Sequence, residues 1–203
     1  MIRSEGAAPG ADEQAILRLI HRWIVYRDSS NWERLRAIWH DNGTMTAGWQ
    51  KGTADEFVAA SRLRSGDGRI RAMHQLGAVE IEVWGNRAIS QNKVIIQVRV
   101  ELDGVLCDIT CMGRHLDRWE KRAGLWGLLA RETIYDRDRI DAIVPGQVPV
   151  LDSRLLQQYG EGFRHLAYAF VRLGFNIDTR FPAINTAEGD RLVLDWRDWL
   201  REK

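Results

Sequence analysis

The chain has 203 residues, 45% of them hydrophobic, which suffices for one domain with a sizeable core rather than two small ones. Lys and Arg number 29 against 28 Asp and Glu, so a net charge of +1 supplies no field to attract a polyanion, and nucleic acid is not an expected partner. No run of about 18 uncharged apolar residues and no signal-like N-terminus occur, so neither a membrane span nor export is expected, and the location reads as cytoplasmic.

Residues 1–11 read as a flexible head. Asp12 is placed to cap a first helix in which Ile16, Leu17, Ile20, Trp23, Ile24 and Arg27 recur at helical spacing. Ser29, Ser30 and Asn31 break it and recap a second helix carrying Trp32, Leu35, Ile38 and Trp39, which Asp41, Asn42 and Gly43 end. A short strand from Thr44 to Trp49, a turn at Lys51–Gly52 and a third helix from Ala54 to Leu63 follow. From His74 the period changes to two: Ala78 to Trp84, Ala88 to Leu102, Cys107 to Trp119 and Trp126 to Tyr135 read as four consecutive antiparallel strands. Helices first and a meander afterwards predict an α+β fold, with a curled antiparallel sheet wrapped on three N-terminal helices.

The domain is expected to span 12–143. Beyond Pro145 and Gly146, residues 144–203 form a C-terminal extension with a helix over Leu155 to Leu173 interrupted near Gly160 and Gly162, a loop from Arg180 to Asn185, and a last helix over Glu188 to Leu200. Its aromatic content predicts packing on the domain, as a lid or otherwise, or on a neighbouring subunit. Cys107 and Cys111 share one face of a strand roughly 13–14 Å apart, too far to bridge, so two thiols are expected.

The five histidines are scattered without metal-ligand spacing, and neither a phosphate-binding loop nor a nucleophile elbow is present, so no metal and no cofactor is expected. Acid/base chemistry remains. Asp28 closes the first helix after its apolar stripe, and His74 follows the third helix. A carboxylate beside a buried imidazole fixes its tautomer and is expected to raise its pKa, giving a general base that can return its proton. Each residue also has a structural reading, Asp28 as a cap of the helix junction and His74 as a satisfied, partly buried histidine. Arg131 alternates with Thr133 and Tyr135 on one face of the last strand, where it either stabilises an anion or pairs with a carboxylate. Trp23, Trp49, Tyr135 and His115 are candidates for a pocket lining, with ordinary core packing as the alternative.

The segments Tyr26–Arg27–Asp28, Ile38–Trp39–His40–Asp41, Lys51–Gly52, Met73–His74–Gln75–Leu76–Gly77, and Gly113–Arg114–His115 through Trp126 to Arg131, taken in this order over roughly residues 12–140, resemble the nuclear transport factor 2-like superfamily. They look like its SnoaL-like branch, which contains scytalone dehydratase and hexachlorocyclohexane dehydrochlorinase. The resemblance implies a cone-shaped fold, a dyad of Asp28 and His74, no cofactor, and a homo-oligomer, trimer or dimer. Trp23 stands where the dehydrochlorinase-like members carry a basic residue, which argues against halide chemistry. The implied function is a lyase, dehydratase-like or retro-aldol, acting on a small hydroxylated cyclic or aromatic substrate, with Tyr26 or Arg131 assisting the leaving group. The alternatives are an isomerase or cyclase of the same fold, and a non-catalytic binding or assembly module.

Overall fold

The computed structural model describes residues 10–177, 182–184 and 186–202. Its elements run α1 (Ala11–Asp28), α2 (Trp32–Arg36), β1 (Trp39–Ala47), β2 (Gln50–Thr53), α3 (Ala54–Gly66), β3 (Ile70–Trp84), β4 (Arg87–Leu102), β5 (Val105–Arg122), β6 (Leu125–Ala142), α4 (Ser153–Leu156), α5 (Arg164–Arg172) and α6 (Ala187–Arg201). Apart from Gly10 and Ala11, the expected flexible head lies outside the described residues.

α1 buries Ile16, Ile20, Trp23 and Arg27, a stripe at spacings of four and three. Its first turn is closed by Glu13, whose Oε2 accepts from the Gly10 N–H at 3.1 Å. Asp12 is not the cap: its Oδ1 accepts from Lys121 Nζ at 2.7 Å and Trp126 Nε1 at 2.8 Å, tying the helix to the sheet. Ser30 adopts a φ of 57°, turning the chain into α2, where Asn31 Oδ1 accepts from the Arg34 N–H at 3.4 Å. α2 ends at Arg36, earlier than the apolar spacing predicts, because Ile38 and Trp39 are buried by the sheet: the Leu128 N–H donates to Ile38 O at 2.9 Å and Trp39 begins β1. Lys51 and Gly52 lie within β2, not in a turn. A capping box opens α3, with Thr53 Oγ1 accepting from Glu56 N–H and Glu56 Oε2 accepting from Thr53 N–H.

The six strands form one curled, unclosed sheet in the order β2-β1-β6-β5-β4-β3. β1 runs parallel to β6, so the sheet is mixed and not wholly antiparallel. The four long strands are joined by tight turns at Gly85, at Asp103–Gly104 and at Ala123–Gly124, all with positive φ. Register shifts interrupt the ladders near Gly77, Gly113 and Trp119, and such bulges bend and twist the sheet. At Gly113 the strands approach so closely that a Cβ would stand 2.5 Å from the Ile134 carbonyl oxygen.

Two cores result on the concave face. One packs α1 and α3 against Trp39, Met45, Trp119 and Leu128. The other lies at the far end of the strands, where Phe163, Leu166 and Phe170 from the extension cover Val98, Val100, Ile109 and Cys111. α5 therefore caps the cone. α6 takes the convex face, with Trp196 on Leu116 and Ile134, residues adjacent in sequence to inward-facing His115 and Tyr135 and so pointing the opposite way. The segment expected as a loop over 180–185 has Pro182 to Ile184 paired along β6, bridging Tyr135 to Ala183, beyond the last residues of β1 registered on β6; positions 180, 181 and 185 lie outside the described residues. No helix among the described residues is long and apolar enough to cross a membrane.

Candidate active site

The two cores leave between them a small cavity of about 30 Å³, which shares Arg27, Arg64 and Ala72 with an outer depression of about 230 Å³. α1 contributes Trp23 and Arg27, α3 Phe57 and Arg64, β3 Ala72 and His74, and β5 and β6 His115, Thr133 and Tyr135; Trp49 enters from the β1–β2 turn, and Leu166 and Phe170 from α5.

Asp28 ends α1 beside β3, and its carboxylate is committed to His74. Oδ1 lies 2.6 Å from Nδ1, and Oδ2 accepts from the His74 backbone N–H at 2.8 Å. The carboxylate is thus used across the fold and not as a cap of its own helix. With Nδ1 held, Nε2 is the ring nitrogen left for the cavity that the imidazole lines. The expected rise in the His74 pKa is reversed. Burial, the largest influence, lowers it, outweighing Asp28, while Arg27 and Arg64 push the same way as burial. His74 is therefore neutral and able to accept a proton at ordinary pH.

His115 is 2% exposed and faces the cavity from β5. Its pKa is driven well below the usual value by burial, then by Arg131 and His74. Its Nδ1 and the Thr133 hydroxyl have no hydrogen-bond partner among the described residues, so both remain to meet a guest. Trp23 forms the hub, edge-on to His74 at 5.7 Å and to His115 at 5.4 Å, and stacked with Phe57 at 6.1 Å. Tyr135 stacks on Phe163 at 4.7 Å and its hydroxyl accepts from the Gly48 N–H at 2.8 Å; burial raises its pKa, so it stays a phenol.

The remaining candidates stand apart. Arg131 shares the inner face with Thr133 and Tyr135 but makes a wholly enclosed two-armed pair with Asp117, Nε and Nη2 lying 2.6 and 2.7 Å from the two carboxylate oxygens. Its guanidinium sits 4.4 Å over Trp23, behind the cavity wall. Tyr26 is half-buried under Arg34 and does not line the cavity. Both cysteines are buried free thiols, and no group of three His, Cys, Asp or Glu is placed to hold a metal among the described residues.

Arg27, Arg64, Phe57 and Thr133 are wall residues that the reading for candidate sites did not single out. A signal existed for the two arginines, since each prolongs an apolar stripe at helical spacing, Trp23 to Arg27 and Phe57, Ser61 to Arg64.

A family profile described as the SnoaL-like domain matches residues 10–132. Pea pathogenicity protein 2 of Fusarium vanettenii is 32% identical over 98% of this chain and 90% of its own length. An uncharacterized protein of Aspergillus terreus is 31% identical over 82% of this chain and 68% of its own. Among solved structures, a putative scytalone dehydratase from Novosphingobium aromaticivorans superposes with a TM-score of 0.54 at 19% identity, covering 70% of this chain and 95% of that one. A hexachlorocyclohexane dehydrochlorinase of type 2 gives a TM-score of 0.55 at 13% identity with the same coverages. At these identities the structural likeness is one of fold.

Proposed function

The chain belongs to the SnoaL-like domain family, and from that premise we propose that it is a lyase that needs no organic cofactor, eliminating water or a comparable small group from a hydroxylated cyclic or aromatic substrate. The observation that carries the reading is the 2.6 Å contact between Asp28 and His74 on the wall of an aromatic cavity.

The chemistry follows from the state of the imidazole. His74 Nε2 takes a proton from the carbon next to the one bearing the hydroxyl; the C–H electrons form the double bond as the C–O bond breaks. The proton returns from Nε2 to the departing oxygen, which leaves as water, and the enzyme is unchanged. Asp28 holds the ring and stabilises the transient imidazolium. Such general acid/base help is worth about 10²–10⁴ in rate, so positioning between Trp23, Trp49 and Phe57 must supply much of the rest. Retro-aldol cleavage begins with the same base removing a hydroxyl proton.

The test incubates the wild type and His74→Gln with a panel of hydroxylated cyclic and aromatic compounds in heavy water. Loss of water or deuterium entry at the acidic carbon, by mass spectrometry, is expected only with the wild type. Compounds that bind but neither exchange nor eliminate would instead favour a binding module.

A further inference from the structure

Arg27 and Arg64 are both almost fully buried, at 4% and 6% exposure, and both line the cavity. Buried cations are ordinarily paired, because removing a guanidinium from water is costly. Among the described residues neither forms a salt bridge. The carboxylate that acts on Arg27 is Asp28, and both Asp28 oxygens already accept from His74. Arg64 lies 3.5 Å over the ring of Trp49 and 5.1 Å from that of Phe170, and its Nη1 has no hydrogen-bond partner among the described residues. Among the described residues, no Asp or Glu lines the inner cavity. The two arginines also line an outer depression with Asp28, Ser30 and Arg71, so they sit where the cavity meets its approach.

We propose that Arg27 and Arg64 together bind the carboxylate of a small cyclic or aromatic acid, whose ring lies against Trp49 and Phe57 with its reacting carbon toward His74. The placement rests on the lyase reading for the last clause only; the anion site stands on the arginines themselves. Two guanidinium forks fit the two oxygens of one carboxylate, and charged hydrogen bonds in an enclosed site are the strong kind. Their burial supports the same assignment: it brings the Arg27 pKa down to about 10, and burial with Arg27 beside it lowers that of Arg64 well below normal. An arriving anion relieves both.

The experiment measures binding of benzoate and salicylate against benzamide and salicylamide, by calorimetry at constant ionic strength with chloride as counter-ion. The wild type should prefer each acid over its amide by about tenfold or more. Arg64→Met and Arg27→Met should abolish that preference. Their own thermal midpoints should be unchanged or higher, since an apolar side chain replaces an uncompensated charge. Equal binding of acid and amide by the wild type, which requires no variant, overturns the proposal, as does an acid preference that survives in both variants. The preference should persist in His74→Gln. Its presence without turnover on any hydroxylated acid would sink the lyase reading and leave the anion site standing.

Discussion

Asp117 and Arg131 face each other across β5 and β6 with no exposed side-chain area on either, and Ser90 extends the pair, its hydroxyl donating to Asp117 at 3.1 Å while accepting from Trp119 Nε1 at 2.9 Å. This polar layer lies one step along the strands from Asn92, His115 and Thr133. It supports the site from behind.

Removing one partner should therefore act on stability first. Asp117→Asn or Arg131→Met strands a buried charge or donor and is expected to cost about 3–5 kcal/mol, whereas the double replacement Asp117→Leu with Arg131→Met should recover much of it. Urea unfolding measures all three. Single variants as stable as the wild type would mean that the pair is not structural.

Deleting the Asp28 carboxylate should change the imidazole without unfolding the protein. In Asp28→Ala, His74 loses the partner that favours its charged form, so its pKa should fall further below the ordinary value, and its fixed tautomer should give way to a mixture. Nitrogen-15 NMR of the histidines reads both. A pKa that rises in the variant would contradict the balance between burial and Asp28.

The same two histidines set an acid limit to the fold. His74 and His115 both have lowered pKa values in the folded chain, so at pH below about 6.5 the unfolded chain binds protons that the folded one does not. Their contribution is complete above that value and is lost as pH falls through it. Glu132, raised by burial, works in the opposite sense from its usual 4.5 upward. The midpoint of urea unfolding should decline between about pH 7 and pH 5, and His115→Asn should flatten the decline. An unaltered slope in that variant would remove His115 from the account.

α6 is held to the convex face by Trp196, which is buried on Leu116 and Ile134 under the Arg118 guanidinium at 5.0 Å, and by Arg87, which donates to Trp199 O at 2.9 Å. Trp196→Ala should cost about 3–5 kcal/mol. Hydrogen exchange should then be faster in α6 than in α1, and protection that stays uniform would show that the polar contacts of Arg87 and Arg201 suffice to hold the helix.

Much of this was legible in the chain. The long strands announced themselves by alternation, and their turns by Asp103–Gly104 and Gly124, because a face buried against helices imposes a period of two. Asp28 and His74 stand out singly as polar residues after the first and third helices, but only the resemblance joins them, since they are 46 positions apart and meet where a helix end reaches a strand. The parallel β1–β6 pairing was hidden, since period does not encode partner direction. Trp39 fitted the helical spacing of its predecessors equally well in a strand. Arg27 and Arg64 were visible as charges on apolar stripes, yet what faces them depends on α5, which sequence distance conceals. The sign of the His74 shift required knowing how completely Leu166 and Phe170 exclude water.

Because α5 supplies one wall of the cavity, and the first strand pairs with the last, the chamber has no complete form during most of synthesis. A ribosome that has delivered β1, which ends at Ala47, must still deliver residues 48–124 before its parallel neighbour begins at Leu125, and the wall at Leu166 comes later still. Until then, apolar strand ends that α5 will cover are open to other chains, so the yield of folded protein in a cell should depend on how quickly the C-terminal segment follows the sheet.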